Sequence, residues 1–471
     1  MGHTASELAA ATPDSRDRYV DLLRIASLGT VVLGHWLMAA VTDDGMGNLL
    51  AVVPRLQVLT WVLQVMPVFF FVGGFSHALS YRSLARRQPA AGAGAPDEAA
   101  SAGLYPAFLR ARLRRLLRPT LVFVLVWSAA ALVVQLAGGG GQGLAAAALR
   151  LVTQPLWFIG IYLAMVAFTP PLLRLHDRYG WGVFAALATA AALVDAARFA
   201  AGVPYLEFLN FAFVWLAVHQ LGFLRADGRI RRPALLAGAG LAAAVLLVRF
   251  GPYPLSMVGM PGEKVSNMAP PTLALLAHGL WLVGAVELLR RPAARLLTRP
   301  AVWRPVVAAN GLAMTAFLWH LTAMLGVYGA QLALGIALPE PASAAWWGQV
   351  PVRIVAAAAL TAVLVALFRR FEAPAGRAHR PGGPLRPAAT AVLASGSGGL
   401  AAAGVTLCLL GVLGLSLTGL GGLLEGRTAT LIAFPVTAPA AVAMVLAGWA
   451  AVERSGSPGR TARRARANRP S

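Results

Sequence analysis

YVDLLRIASLGTVVLGHW, Tyr19 to Trp36, is an apolar run interrupted by three ionisable side chains, Asp21, Arg24 and His35. With its continuation to residue 41 it is long enough to cross about 30 Å of hydrocarbon as a helix. A charged side chain is expensive there and usually functional. Arg24 and His35 are eleven positions apart, and at about 100° per residue that spacing returns them to nearly the same helix face. The rise between them is roughly 16 Å. Asp21, three residues before Arg24, is placed to pair with it. One face of a membrane helix therefore carries a line of proton- and charge-handling groups.

The rest of the chain fits that setting. Of 471 residues, 58% are hydrophobic and 12% charged, against about 25% charged in ordinary soluble domains. Spans are expected near 19–41, 56–80, 119–137, 152–173, 181–199, 206–224, 233–250, 270–289, 306–332, 349–368, 398–422 and 428–451. The fold class is thus an all-α polytopic membrane protein with about twelve transmembrane helices. The net charge of +22 does not point to nucleic acid, because its distribution follows topology. With the N-terminus inside, 32 of the 40 Lys+Arg fall in cytoplasmic segments, as the positive-inside rule requires. Both termini are then cytoplasmic, and the expected location is the cell membrane, multi-pass, with the bilayer as partner. The first 15 residues lack a cleavage-type apolar stretch, so the first span reads as an uncleaved anchor. Cys408 is the single cysteine; no disulfide framework or cysteine metal site is expected, and no metal is implied elsewhere. The sequence carries no signal for an oligomeric state.

Composition divides the chain into a cytoplasmic segment 1–18, a membrane domain 19–372, a Pro/Gly/Arg-rich linker 373–397, a further transmembrane hairpin 398–451, and a basic tail 452–471. QPAAGAGAPDEAASAGLYP (Gln88 to Pro106) reads as a mobile low-complexity loop. On the outer side FGPYPLSMVGMPGEKVSNMAPP (Phe250 to Pro271) is the long connection, either a lid or acceptor contact or an ordinary connector. His219 and His278 read as packing residues, and Gly73 and Gly74 as a close helix contact.

The pattern Asp21-x2-Arg24-x10-His35 resembles the signature of the acyltransferase-3 family of integral membrane acyltransferases. PVFFFVGGFSHALSYR (Pro67 to Arg82) is similar to that family's aromatic element, with Gly73 where a serine is common. FLRARLRRLLRPTL (Phe108 to Leu121) resembles its arginine cluster before a proline. LWFIGIYLAMVAFTPPL (Leu156 to Leu172) is similar to its Trp-Phe span, and FLWH (Phe317 to His320) to its late helix ending in His. The resemblance covers residue 17 to about 372 and leaves the last two spans outside a ten-helix core.

The resemblance implies transfer of an acyl group, often acetyl, from acyl-CoA to a hydroxyl of a carbohydrate or glycoconjugate acceptor. His35 would act as general base or transient acyl carrier. Arg24 would bind the donor at the inner end of the helix, within reach of an extended pantetheine arm. Arg112, Arg114 and Arg115 are candidates for the nucleotide phosphates, although such charges also set topology. Trp157 would line the donor cavity, with Asp21, Ser76, Tyr162 and His320 in support. The competing reading is a multi-span transporter or exporter. It predicts polar residues spread over several helices, whereas here they concentrate in the first.

Overall fold

The computed structural model describes Glu7 and residues 12–13, 16–42, 45–87, 97–138, 143–260, 263–372, 398–431 and 434–455. The linker 373–397, most of the N-terminal segment and the tail from 456 onward lie outside these. Helix α1 (Arg18–Met38) starts where the Asp17 carboxylate accepts from the Tyr19 and Val20 amides, an N-cap that satisfies otherwise orphan donors. It ends in a two-stranded hairpin of β1 (Ala39–Thr42) and β2 (Gly45–Asn48), three residues short of the expected exit. There follow α2 (Met66–Arg86), α3 (Asp97–Leu136), α4 (Gly143–Leu151), α5 (Pro155–Tyr179), α6 (Trp181–Ala201), α7 (Asn210–Ala226), α8 (Pro233–Phe250), α9 (Leu273–Leu296), α10 (Pro300–Asn310), α11 (Ala313–Ala333), α12 (Ala344–Phe368) and α13 (Gly398–Thr418). The hairpin β3 (Thr428–Leu431) and β4 (Phe434–Thr437) leads into α14 (Ala438–Ser455).

Among the described residues, eleven helices are long and apolar enough to cross a membrane. The chain is a polytopic helical membrane protein. Two expectations change. The last span, read from residue 428, is a hairpin followed by an 18-residue helix ending in Glu453 and Arg454, and α14 is not one of the eleven. Thr428, Thr430 and Thr437 favour strand, and Pro435, which has no amide hydrogen to donate, adds to the bias against helix there. Residues 97–106, expected in a mobile loop, form the first turns of α3, as their alanine content favours; residues 88–96 lie outside the described set.

Two compact units emerge. The first contains residues 1–76, 142–148 and 172–369. In it the N-terminal end of α1 is fastened by charge: Arg225 of α7 donates to Asp17 at 2.8 Å and to Glu287 of α9 at 2.6 Å, with its guanidinium over the Phe75 ring. The Tyr19 hydroxyl donates to the Val286 carbonyl. Helices α2 and α7 cross through glycine. A Cβ on Gly74 would strike the His219 carbonyl, and one on Gly222 would strike the backbone of Phe71 and Phe75, so the backbones meet as small-residue membrane contacts allow.

The long connection between α8 and α9 belongs to this unit and is docked through residues 253–257 and Asn267. Trp61 donates to the Leu255 carbonyl at 2.9 Å, and the Met257 amide donates to Thr60 Oγ1. Asn267 donates to the carbonyls of Pro254 and Ser256. Buried Asp195 of α6 accepts from Asn210, from the Tyr253 hydroxyl and from the Leu273 amide at 2.8, 3.0 and 2.7 Å. Of the two readings, a tied connector fits. Burial and the adjacent Asp195 carboxylate raise the Tyr253 phenol above its ordinary range, which keeps it a donor.

The second unit contains residues 77–141, 149–171 and 370–471. Here α13 and α14 interlock: a Cβ on Gly404 would lie 2.9 Å from the Gly448 carbonyl, and one on Gly448 would lie 2.6 Å from the Cys408 amide. The pair is also tied to α3. Glu453 accepts from Arg110 and Arg114, and Gln135, 21 residues further along α3, donates to the Leu420 carbonyl and accepts from the Leu424 amide.

Replacing Asp195 with Ala removes the acceptor shared by the buried Asn210 amide and the half-buried Tyr253 hydroxyl and Leu273 amide, at about 1 kcal/mol for each hydrogen bond lost. The connection between α8 and α9 is then expected to open more often. Cleavage by endoproteinase Lys-C at the single, exposed lysine, Lys264, should quicken by about tenfold or more over the native protein on a time-resolved gel.

Candidate functional site

Helix α1 presents two polar stations. At the one nearer its N-terminus, Arg24 donates through Nη1 to Asp21 Oδ1 (3.1 Å) and Asn310 Oδ1 (3.4 Å), and through Nη2 to Ser76 Oγ (3.0 Å). Asp21 is 4% exposed and also accepts from Arg16 at 2.6 Å. Asn310, closing α10, donates to the Asp21 and Val306 carbonyls. The guanidinium is therefore aimed by three elements and keeps about 30% of its side-chain surface open. An aimed, partly open guanidinium suits a phosphate or a carbonyl oxygen.

At the second station His35 Nδ1 lies 2.7 Å from His320 Nε2. The ring centroids are 5.0 Å apart and the planes 9° from parallel. That separation is the hydrogen-bond length plus the two ring radii, so the imidazoles lie end to end in nearly one plane. Protons can then be assigned from the far end. His320 Nδ1 faces the Phe317 carbonyl, which only accepts, so Nδ1 carries the hydrogen. A neutral His320 then offers a lone pair at Nε2, and His35 Nδ1–H donates to it. What remains is His35 Nε2, an unprotonated ring nitrogen held in one orientation. Trp36 Nε1 donates to the His320 carbonyl at 3.1 Å, fixing α11 against α1. His320 is fully buried and His35 half-buried. A partly accessible basic nitrogen backed by a buried partner is an arrangement for taking a proton or an acyl group.

The remaining candidates lie in the second unit. Arg112 donates to Ser80 Oγ, Arg114 pairs with Glu453, and Arg115 is exposed. Half-buried Trp157 packs edge-on against Phe158. Tyr162 meets His77 Nε2 through its hydroxyl at 3.0 Å. Thus Arg24, Asp21 and Ser76 come together, as do His35 and His320. Arg114 has a carboxylate partner that the sequence did not suggest.

Sequence reasoning missed Asn310, whose signal is an amide inside an apolar stretch beside a glycine. It also missed buried His176, which bonds Asp227 at 2.8 Å and Gln220 at 2.7 Å. Ligand atoms of His176, Asp177 and Asp227 lie within 4.8 Å of one another. However, the Gln220 amide donates to Nδ1 and Nε2–H donates to Asp227. Both ring nitrogens are thereby committed, with no lone pair left for an ion. His278 bonds the Trp61 carbonyl and packs on its indole, as a packing histidine does.

The acyltransferase-3 family model, described as an acyltransferase domain, matches residues 17–369, three quarters of the chain. The chain belongs to the acyltransferase-3 family. No curated protein and no solved structure matches it. The acyltransferase match includes both stations on α1 together with Asn310 and His320, and it stops before α13, β3, β4 and α14. The chain is thus a membrane acyltransferase. Losing the Trp36 hydrogen bond should loosen the aligned histidines by about 1 kcal/mol. Trp36→Phe is expected to lower the acyl-transfer rate about fivefold at unchanged membrane abundance, as measured by product formation per molecule in vesicles.

Proposed function

We propose that this protein is an O-acyltransferase that moves an acyl group, acetyl in the simplest case, from acyl-CoA to a hydroxyl of a carbohydrate or glycoconjugate acceptor. The observation that carries the reading is the directed pair of histidines about 16 Å along α1 from an aimed arginine. Arg24 holds a phosphate or the pantetheine carbonyl of the donor at the cytoplasmic end, and the extended arm brings the thioester to His35. His35 Nε2 removes the acceptor's hydroxyl proton. The oxygen attacks the thioester carbonyl, the C–S bond breaks, and the coenzyme thiolate leaves with the proton from His35. His320, its own proton fixed by a backbone carbonyl, accepts the His35 Nδ1–H bond and shares the charge that His35 gains. Arg112 and Arg115 add a positive field for an anionic donor arriving from the cytoplasm.

In this proposal the protein sits in the cell membrane with both termini inside and Lys264 outside. A membrane-impermeant amine reagent is expected to label Lys264 in intact cells; labelling only after permeabilisation would reverse the orientation.

The chemistry is tested on purified protein with labelled acetyl-CoA and glycan or glycolipid extracts, read by mass spectrometry. His35→Ala should lower acyl transfer by about 10²–10⁴-fold with normal folding. His320→Ala should cut the rate constant while leaving the donor KM close to native, and Arg24→Gln should raise the donor KM. Full activity in His35→Ala would remove the mechanism. Label retained on the denatured protein, and lost in His35→Ala, would favour a transient acyl-histidine over direct general-base transfer.

A further inference from the structure

Beyond the histidine pair, towards the C-terminal ends of α1 and α11, is a third polar station. Arg353 of α12 is 7% exposed. Its Nε donates to Gln331 Oε1 at 3.2 Å, Nη1 to the Tyr328 hydroxyl at 3.4 Å, and Nη2 to Gln349 Oε1 at 2.5 Å. The guanidinium also lies 5.0 Å from the centre of the Tyr328 ring. Every one of these partners is neutral. Arg353 makes no ion pair with any described carboxylate, in contrast to Arg225, which is comparably buried and holds both Asp17 and Glu287.

A guanidinium has five N–H donors, and three are used. The arginine also borders a recess with room for a water-sized atom (about 10 Å³), lined by Trp36, Met324, Tyr328, Ile354 and Ala357. Two of these residues connect it to the machinery. Trp36 follows His35 and bonds the His320 carbonyl. The Tyr328 hydroxyl donates to the Ala39 carbonyl at the end of α1, and Tyr328 lies eight residues past His320, about 12 Å along α11.

A buried positive charge without a counter-ion, with spare donors at a recess, is expensive to keep in an apolar bundle. It is relieved by an anion. We propose that Arg353 forms the acceptor-side subsite, which takes one oxygen of a phosphate or carboxylate carried by the hydroxyl-bearing acceptor. The recess admits an oxyanion oxygen rather than a whole sugar, so the sugar stays outside on the His35 side. A planar guanidinium suits either oxyanion. The acceptor is then an anionic glycan unit, a sugar phosphate or a uronate, in preference to a neutral sugar. Calling the subsite the acceptor's rests on the acyl-transfer reading; the anion preference does not.

The test is thermal unfolding of the full-length protein in nanodiscs with three probes: glucose 1-phosphate, methyl glucuronide and, as the neutral control, methyl glucoside. Millimolar concentrations of at least one anionic probe should raise the Tm by about 2 °C or more over the neutral one. A phosphate-only or uronate-only response names the oxyanion. Arg353→Gln should abolish the difference and Arg353→Lys, which keeps the charge, should restore part of it. The probe-free Tm and a single size-exclusion peak confirm that each variant folds. Equal shifts with charged and neutral probes in the native protein, including no shift at all, overturn the subsite, as does an undiminished anionic shift in folded Arg353→Gln. A separate assay of thioester cleavage by the native protein with glycan extracts bears on the acyl-transfer reading, so each idea can fail without the other.

Discussion

In a bundle surrounded by hydrocarbon, each polar side chain must find its partner within the protein. That constraint organises α1. Asp17 reaches Arg225, Asp21 and Arg24 hold each other with Asn310 and Ser76, His35 meets His320, and the Ala39 carbonyl takes the Tyr328 hydroxyl. The contacts tie the helix to several neighbours at different depths, with His320 and Tyr328 both on α11. Rotation of α1 by even one position would unpair several of them together. The precision of the site is therefore a by-product of satisfying buried charge.

Much of this was legible in the sequence because membrane helices announce themselves by length and because charge stands out against an apolar background. Arg24 and His35 were visible for that reason, and the run of motifs to His320 indicated the family. Asp21 could be matched to Arg24 by spacing and His320 entered through the resemblance, but the other partner choices were not visible. Asn310, Arg353 and Glu453 come from distant parts of the chain, and no local pattern says which helix will face which. The docked connection between α8 and α9 was ambiguous because its proline- and glycine-rich composition suits both a lid and a strap. Asp195, the residue that makes it a strap, lies in a mostly apolar helix. The last span misled because apolar content was counted across Thr428–Thr437, where strand-forming residues and Pro435 make a hairpin.

The second unit changes the meaning of the C-terminal pair. Its helices carry little polar chemistry, yet Glu453 engages Arg110 and Arg114 while the loop after α13 engages Gln135. The pair thus spans much of α3 with a charged clasp near one end and an amide clasp at the other. Although the family match ends at residue 369, these residues are integrated by the same physics as much of the rest: close glycine crossings and polar groups that meet partners on a neighbouring helix.

The distance between partners along the chain has a consequence for synthesis. His320 follows His35 by 285 residues, and Asn310 follows Arg24 by 286. At ribosomal speeds of about 5–20 residues per second, roughly 15–60 s separate the emergence of α1 from that of the helices that complete it. Throughout that interval an arginine and a histidine sit in a nascent membrane segment without their final hydrogen bonds. The helix must wait beside the insertion machinery or with its charge drawn towards the headgroups, and it can settle only once α11 has entered the bilayer. Assembly of the site is thus among the last events in the birth of this protein, although its first residues are among the earliest made.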